Sequence, residues 1–311
     1  MTDRKDLVII GSGPAGLSAA VYAQRAMLDQ VVIEKEPFSG GQIITTERID
    51  NYLGLYGMGG YELAMKFREH ADALSVPFLE GEVTAINDDG EVKQITLASG
   101  ETIETKAVLF ATGARHKTLS VKGEKELAGA GVSYCATCDG AFFRGKTTAV
   151  VGGGDVALED AIYLARTCEK VYLIHRRDSL RGAMVLQEEL KSLPSVEILY
   201  DHVVTEICGE DMVEKLRIKN VKTEEEKDLE AAGIFIAVGI HPNTELLQSL
   251  VTVGEDGYIP AGETGETDIP GIYVAGDIRK KPLRQVVTAV ADGANAAVSA
   301  GNYCNRFRKQ S

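Results

Sequence analysis

Leu7-Val8-Ile9-Ile10 is a continuous apolar run that predicts a strand, and it ends in Gly11-Ser12-Gly13-Pro14-Ala15-Gly16. Leu17 to Ala26 is then rich in helix formers, and Val31-Val32-Ile33 predicts a second buried strand closed by Glu34. Strand, glycine turn, helix and strand recur further on. Thr148 to Val151 leads into Gly152-Gly153-Gly154-Asp155-Val156-Ala157, a helix through Ala165 and the strand Val171 to Ile174. The companion segments repeat in the same order. Val83 to Ile86 and Val92 to Leu97 flank the turn Asn87-Asp88-Asp89-Gly90, and the strand Ala107 to Phe110 ends in Ala111-Thr112-Gly113. In the second half, Val203 to Cys208, Glu214 to Lys219 and Ile234 to Ala237, closed by Val238-Gly239, match them. First fingerprint glycine to closing glycine spans 102 residues in one copy and 87 in the other.

This pattern predicts an α/β fold of two Rossmann-like, three-layer nucleotide-binding domains of similar design. Gly271 to Asp277 gives another apolar strand, and Pro282 to Cys304 is an Ala/Val-rich helical stretch softened by Gly293. The tail has no third fingerprint, so it is expected to return and complete the first domain. The expected division is residues 1–117 with 244–311 as the first domain and 118–243 as an insert.

Length supports two domains, since 311 residues exceed the size at which one core stops growing. A net charge of −13 opposes a general nucleic-acid role, which would need a basic face. The start, MTDRKDLVII, lacks the longer apolar region of a signal peptide, and no stretch nears the roughly 18 apolar residues of a membrane span. The expected location is the cytoplasm, with no membrane partner.

Candidate chemistry centres on Cys135-Ala136-Thr137-Cys138-Asp139, where two thiols three residues apart can close a disulfide and a carboxyl follows directly. Five cysteines at wide spacing are no secreted disulfide framework, and a lone CxxC in a reducing compartment is catalytic or metal-binding. Zinc would want a second close ligand pair, and Cys168 and His175 lie some 30 residues away, so no metal is expected. Cys168, Cys208 and Cys304 are read as small core residues.

The two fingerprints differ in one telling place. Glu34, 23 residues after Gly11, has the spacing of an acid that accepts ribose hydroxyls. At the matching position the second copy has His175, followed by Arg176, Arg177 and Arg181, whose guanidinium groups suit a ribose 2'-phosphate and select NADPH. At the first site FAD is the natural carrier between a hydride donor and a dithiol, although residue chemistry alone leaves NAD open there.

Together, Cys135-Ala-Thr-Cys138-Asp139-Gly140, Gly152-Gly-Gly-Asp155, His175-Arg176-Arg177, Gly40-Gly41-Gln42 and Ala275-Gly276-Asp277 through Arg284-Gln285 resemble the low-molecular-weight thioredoxin reductase family, over about residues 6 to 305. The resemblance implies a homodimeric flavoenzyme carrying electrons from NADPH through FAD and the CxxC disulfide to thioredoxin. By position it implies FAD contacts at Gly11, Ser12, Gly13, Pro14, Ala15, Gly16, Glu34, Lys35, Gly41, Gln42, Asn51, Val83, Ala111, Thr112, Gly113, Gly276, Asp277, Arg284, Gln285 and Val286. NADPH contacts fall to Gly152, Gly154, Asp155, Ala157, His175, Arg176, Arg177 and Arg181. Cys138 resembles the flavin-side sulfur, Cys135 its partner and Asp139 the acid/base. Val156 departs from the family's small hydroxyl residue in GGGDSA.

If the nicotinamide site and the dithiol share the insert, both must reach one flavin, so the insert is expected to swing about crossings near 114–118 and 241–244. Phe142 and Phe143 are expected either to dock thioredoxin or to pack in the core. The rivals are a flavin-dependent dithiol oxidase, a ferredoxin-fed thioredoxin reductase and a non-catalytic redox sensor.

Overall fold

The computed structural model describes residues 4–46, 49 and 51–308. The chain divides into two compact units, residues 1–45, 52–115 and 241–311 in the first and 46–51 with 116–240 in the second. The chain leaves the first unit after residue 115, within the crossing expected near 114–118, and returns after residue 240, one residue before the crossing expected near 241–244; the short segment 46–51 crosses as well.

The first unit opens with β1 (Lys5–Ile10), α1 (Pro14–Arg25) and β2 (Gln30–Glu34). The helix starts three residues earlier than the run of helix formers suggests, because Pro14 carries a φ preset for the first helical position. There follow α2 (Gly60–Ala73), β3 (Phe78–Glu80), the hairpin β4 (Val83–Asp88) and β5 (Lys93–Leu97), β6 (Thr102–Phe110) and β7 (Ala114–His116). The apolar runs are continuous because they are covered on both faces. Leu7, Ile9 and Leu109 pack on one side with Leu17, Ala20 and Ala23 of α1, while Val8, Ile10, Val108 and Phe110 pack on the other with Ile86, Ile95 and Leu247.

The second unit contains β8 (Val132–Ser133), the one-turn α3 (Ala136–Asp139), β9 (Thr147–Gly152), α4 (Asp155–Ala165), β10 (Lys170–His175), α5 (Met184–Ser192) and β11 (Val196–Tyr200). β12 (His202–Cys208), β13 (Lys215–Asn220) and β14 (Glu226–Glu230) form an antiparallel meander, and β15 (Gly233–Ala237) returns to the main sheet. That sheet is parallel, in the order β11-β10-β9-β15-β8. Its alternate faces meet α4 through Val150, Leu173 and Phe235, and the meander through Val151, Ile174 and Ile236. The layering of the first unit is repeated.

β16 (Ile240–Pro242) leads back into the first unit and pairs with β7, so the two crossings lie side by side. β17 (Ile272–Val274) then joins β6, completing a seven-stranded sheet that otherwise runs β3-β2-β1-β6-β5-β4. The closing helix α6 is Val286–Arg308. It begins after the expected Pro282 because residues 283–285 form a turn held by Thr288, whose hydroxyl donates to carbonyls and accepts the Gln285 N–H at 3.1 Å. Cys168 and Cys304 are buried, whereas Cys208 is only partly so. Among the described residues no helix is long and apolar enough to cross a membrane, and no cluster of His, Cys, Asp or Glu is placed to hold a metal.

Candidate functional site

In the first unit, β1 delivers the chain into a turn with no room for side chains. Gly11 has φ +98°, and a Cβ there would stand 2.6 Å from the Ala111 carbonyl oxygen; at Gly16 it would stand 1.9 Å from the Gly11 oxygen. Gly13 is the opposite case, since the nearest atom to such a Cβ is 3.9 Å away. The turn is packed from below and open above, in front of the α1 N-terminus, which has no side-chain cap. That is a cradle for an anion. Gly40 accompanies it, donating its N–H to the Ser12 carbonyl, with exposed Gly41 and Gln42 following.

Glu34 closes the turn from β2. Its Oε2 accepts from Ser12 N–H at 2.8 Å and Ser12 Oγ at 2.7 Å, and Oε1 accepts from Glu36 N–H at 3.1 Å. Exposed Lys35 lies beside it, ion-paired with Glu36. Ala111-Thr112-Gly113 meet the turn from β6 and are clamped by Asn243, which donates to the Thr112 carbonyl at 2.7 Å and accepts from the Arg115 guanidinium. Pro14 and Ala15 open α1, and Ala15 is buried there; Val83 is buried at the start of β4. Val286 begins α6, next to Gln285. Asn51 belongs to the segment 46–51, which groups with the second unit rather than with the one that carries this cradle.

Gly276 sits at φ +79° against Ala15, ahead of Asp277. Asp277 Oδ1 is buried without a hydrogen bond inside the protein, 3.5 Å from Lys281 Nζ. Burial raises the Asp277 pKa, against the pull of Lys281 and Arg284. Arg284 stacks over Tyr258 at 4.0 Å, its Nε also buried without a hydrogen-bond partner. Buried polar atoms left over beside an open turn fit a polyhydroxyl, anionic ligand.

In the second unit, a Cβ at Gly152 would meet the Ala237 oxygen at 2.5 Å, while Gly154 faces open space. Asp155 begins α4 and accepts the Ala183 N–H at 2.7 Å; Arg181 N–H and Gly182 N–H donate to the Gly153 oxygen at 2.7 and 3.1 Å. These bonds hold the loop after β10 against the glycine turn. Arg176, Arg177 and Arg181 are exposed there, as an anion site needs. Val156 is exposed and Ala157 is buried. His175 is placed differently from the arginines: it is 5% exposed, and its ring lies where a Gly153 Cβ would be, at 2.3 Å. Burial lowers its pKa, so the ring is held neutral.

The dithiol is in the same unit. Cys135 and Cys138 form a disulfide across the single turn of α3. Cys138 and Asp139 donate their N–H groups to the Cys135 carbonyl at 3.2 and 3.1 Å, which fixes that turn. Both sulfur-bearing residues are part-exposed. Ser133 links them to the acid: its Oγ accepts from Cys135 N–H at 3.1 Å and donates to Asp139 Oδ2 at 2.6 Å. Gly140 ends the turn, pressed against Tyr163 and Leu164. The adjacent aromatics divide their roles. Phe143 is core, edge-on to Phe235 at 5.3 Å, and Phe142 is 37% exposed.

Residue patterns did not point to Asn243, to Ser133, or to Arg279, Lys281 and Asp292 around Gly276. Ser133 alone had a local signal, a hydroxyl two residues before Cys135.

A family model for pyridine nucleotide-disulphide oxidoreductases matches residues 5–293. The chain is 42% identical over 305 residues to thioredoxin reductase of Bacillus subtilis, covering 98% of this chain and 96% of that one. The crystal structure of thioredoxin reductase from Streptococcus pyogenes is 42% identical, with coverage of 99% and 100% and a TM-score of 0.92. That of Lactococcus lactis thioredoxin reductase, in its FR conformation, is 41% identical, with coverage of 97% and 100% and a TM-score of 0.69.

Proposed function

The chain belongs to the pyridine nucleotide-disulphide oxidoreductase family, and from that premise we propose that it is an NADPH-dependent thioredoxin-disulfide reductase. The observation that carries the reading is the part-exposed Cys135–Cys138 disulfide, set one turn from a Ser133-bound carboxylate in the unit that also bears the arginine-flanked glycine turn.

The first unit would hold FAD. The N–H groups of the Gly11 to Gly16 turn and the α1 N-terminus suit its pyrophosphate, Glu34 its ribose, and Asp277 a hydroxyl of the remaining chain. The second would hold NADPH, with Gly154 and Asp155 at the pyrophosphate and Arg176, Arg177 and Arg181 at the 2'-phosphate. Bound there, FAD would supply the two-electron chemistry that couples a nicotinamide hydride donor to reduction of the Cys135–Cys138 disulfide.

The chain's own groups do the rest. Asp139 holds a proton beside the sulfurs and Ser133 orients its carboxyl. One thiolate of the opened pair attacks the thioredoxin disulfide and forms a mixed disulfide. The other cysteine, giving its thiol proton to the Asp139 carboxylate, then displaces it, which restores the Cys135–Cys138 bond and releases thioredoxin as a dithiol. The two protons of that dithiol are this one and the one Asp139 held at the start, replaced from water. Phe142, four residues after Cys138 and 37% exposed, is the large apolar side chain offered for docking that substrate.

The insert turns between the two half-reactions, and the enzyme works as a cytoplasmic homodimer. Two solved relatives of nearly equal identity superpose on this chain with TM-scores of 0.92 and 0.69, which supports a moving unit. The three arginines speak against a ferredoxin-fed enzyme, which has no use for a 2'-phosphate clamp.

The purified protein is expected to be yellow, to bleach with NADPH and to reduce thioredoxin at catalytic rates. Cys138→Ser should still bleach and pass no electrons on. Normal thioredoxin reduction by that variant would refute the relay.

A further inference from the structure

We propose that Asp292, outside both glycine turns, is the positioning residue that sets the Gly276-Asp277 corner and with it the flavin affinity of the first unit. The inference rests on the FAD reading. Asp292 lies on α6 beside Gly293, where a Cβ would stand 2.0 Å from the Ala15 carbonyl oxygen. The missing side chain lets α6 close onto the start of α1, and the close approach carries the Asp292 carboxylate inside, 6% exposed.

Its oxygens are fully engaged. Oδ2 accepts from Gly276 N–H at 3.1 Å, Lys281 Nζ at 3.0 Å and Arg279 Nε at 3.2 Å, and Oδ1 accepts from Arg279 Nη2 at 2.7 Å. Gly276 is thus held from both sides, by Asp292 through its N–H and by Ala15, whose Cβ would lie 2.9 Å from one added to the glycine. Lys281, 4% exposed at its side chain, is shared between the carboxylates of Asp292 and Asp277. Arg279 and Lys281 thus meet on one carboxylate, Asp292, and Lys281 also reaches Asp277. Removing the Asp292 charge leaves Arg279 and Lys281, which meet on its Oδ2, with Asp277 as the acid that remains beside Lys281, and leaves one amide oxygen to serve the donors that two carboxylate oxygens now take. Asp292 acts through the corner, by fixing where Asp277, ion-paired with Lys281 at 3.5 Å, presents its carboxylate.

The test uses the full-length holoenzyme. Flavin dissociation is read from the fluorescence gained on serial dilution of wild type, Asp292→Asn and Asp292→Glu, with NADPH binding by the second unit as internal control. Asp292→Asn should hold FAD at least about tenfold more weakly with NADPH binding unchanged, and Asp292→Glu should recover most of that loss. A general loss of stability would weaken NADPH binding as well, which the internal control reads. No loss in Asp292→Asn, or equal loss in both, overturns the proposal. Should Asp292→Asn not fold, Lys281→Met takes its place, with FAD held several-fold more weakly; unchanged affinity overturns the proposal. A wild type that holds no flavin overturns the FAD reading itself, and so tells the two failures apart.

Discussion

The two glycine turns share a strand, a helix and an open middle, yet they are finished differently. In the first, Gly16 is obligatory because its α-carbon faces the Gly11 oxygen; in the second, buried Ala157 occupies the matching place beside Gly152. In the first, Glu34 ties itself to Ser12 at the lip of the turn. In the second, the His175 ring fills the floor beneath Gly153 and leaves the lip to arginines. One backbone design therefore accepts two ligands through what stands at the end of its second strand.

The largest effect should come from swapping the finish of the first turn. Gly16→Ala should lose its flavin and unfold at lower temperature, by the ~2 to 3 kcal/mol of an overpacked site, whereas Ala157→Gly should cost only about 1 kcal/mol. Calorimetry of both variants checks the contrast, and equal losses would break it. Next, Arg176→Ala combined with Arg181→Ala should raise KM for NADPH about 100-fold, as the loss of charge-assisted hydrogen bonds implies, and leave KM for NADH unchanged. Steady-state kinetics with both donors reads this directly.

A smaller effect tests the floor of the second turn. Gly153→Ala drives a methyl into the His175 ring, and His175→Ala in the same chain should relieve it, giving a coupling of about 1 kcal/mol. Additive losses would mean that the ring does not support the turn. The smallest effect is one of pH. Because burial lowers the His175 pKa below its unfolded value of 6.5, its contribution to stability is complete above 6.5 and is lost as pH falls from there through the lower folded value. His175→Phe should flatten the acid side of the pH–stability curve, and an unchanged slope would place the loss elsewhere.

Much of this was legible in the residues because the signals are local. Apolar runs bounded by glycine, and two cysteines three apart, carry their structural meaning within a few positions. What stayed hidden depends on packing between distant segments. Phe142 and Phe143 look alike in sequence, and only the position of Phe235 decides which is buried. His175 sits in a basic run, yet its strand ends by turning the ring under Gly153 while the following arginines face solvent. Asp292 looks like an ordinary helix-surface acid until Gly293 is seen to bring α6 onto α1.

The side-by-side pairing of β7 and β16 has a use beyond folding. Paired strands run about 4.8 Å apart, so the two ends of the 116–240 segment, where it leaves and rejoins the first unit, are neighbours. A gene could therefore be cut at both places and rejoined with a very short linker, making the insert a removable cassette that can be exchanged between relatives without lengthening the host chain.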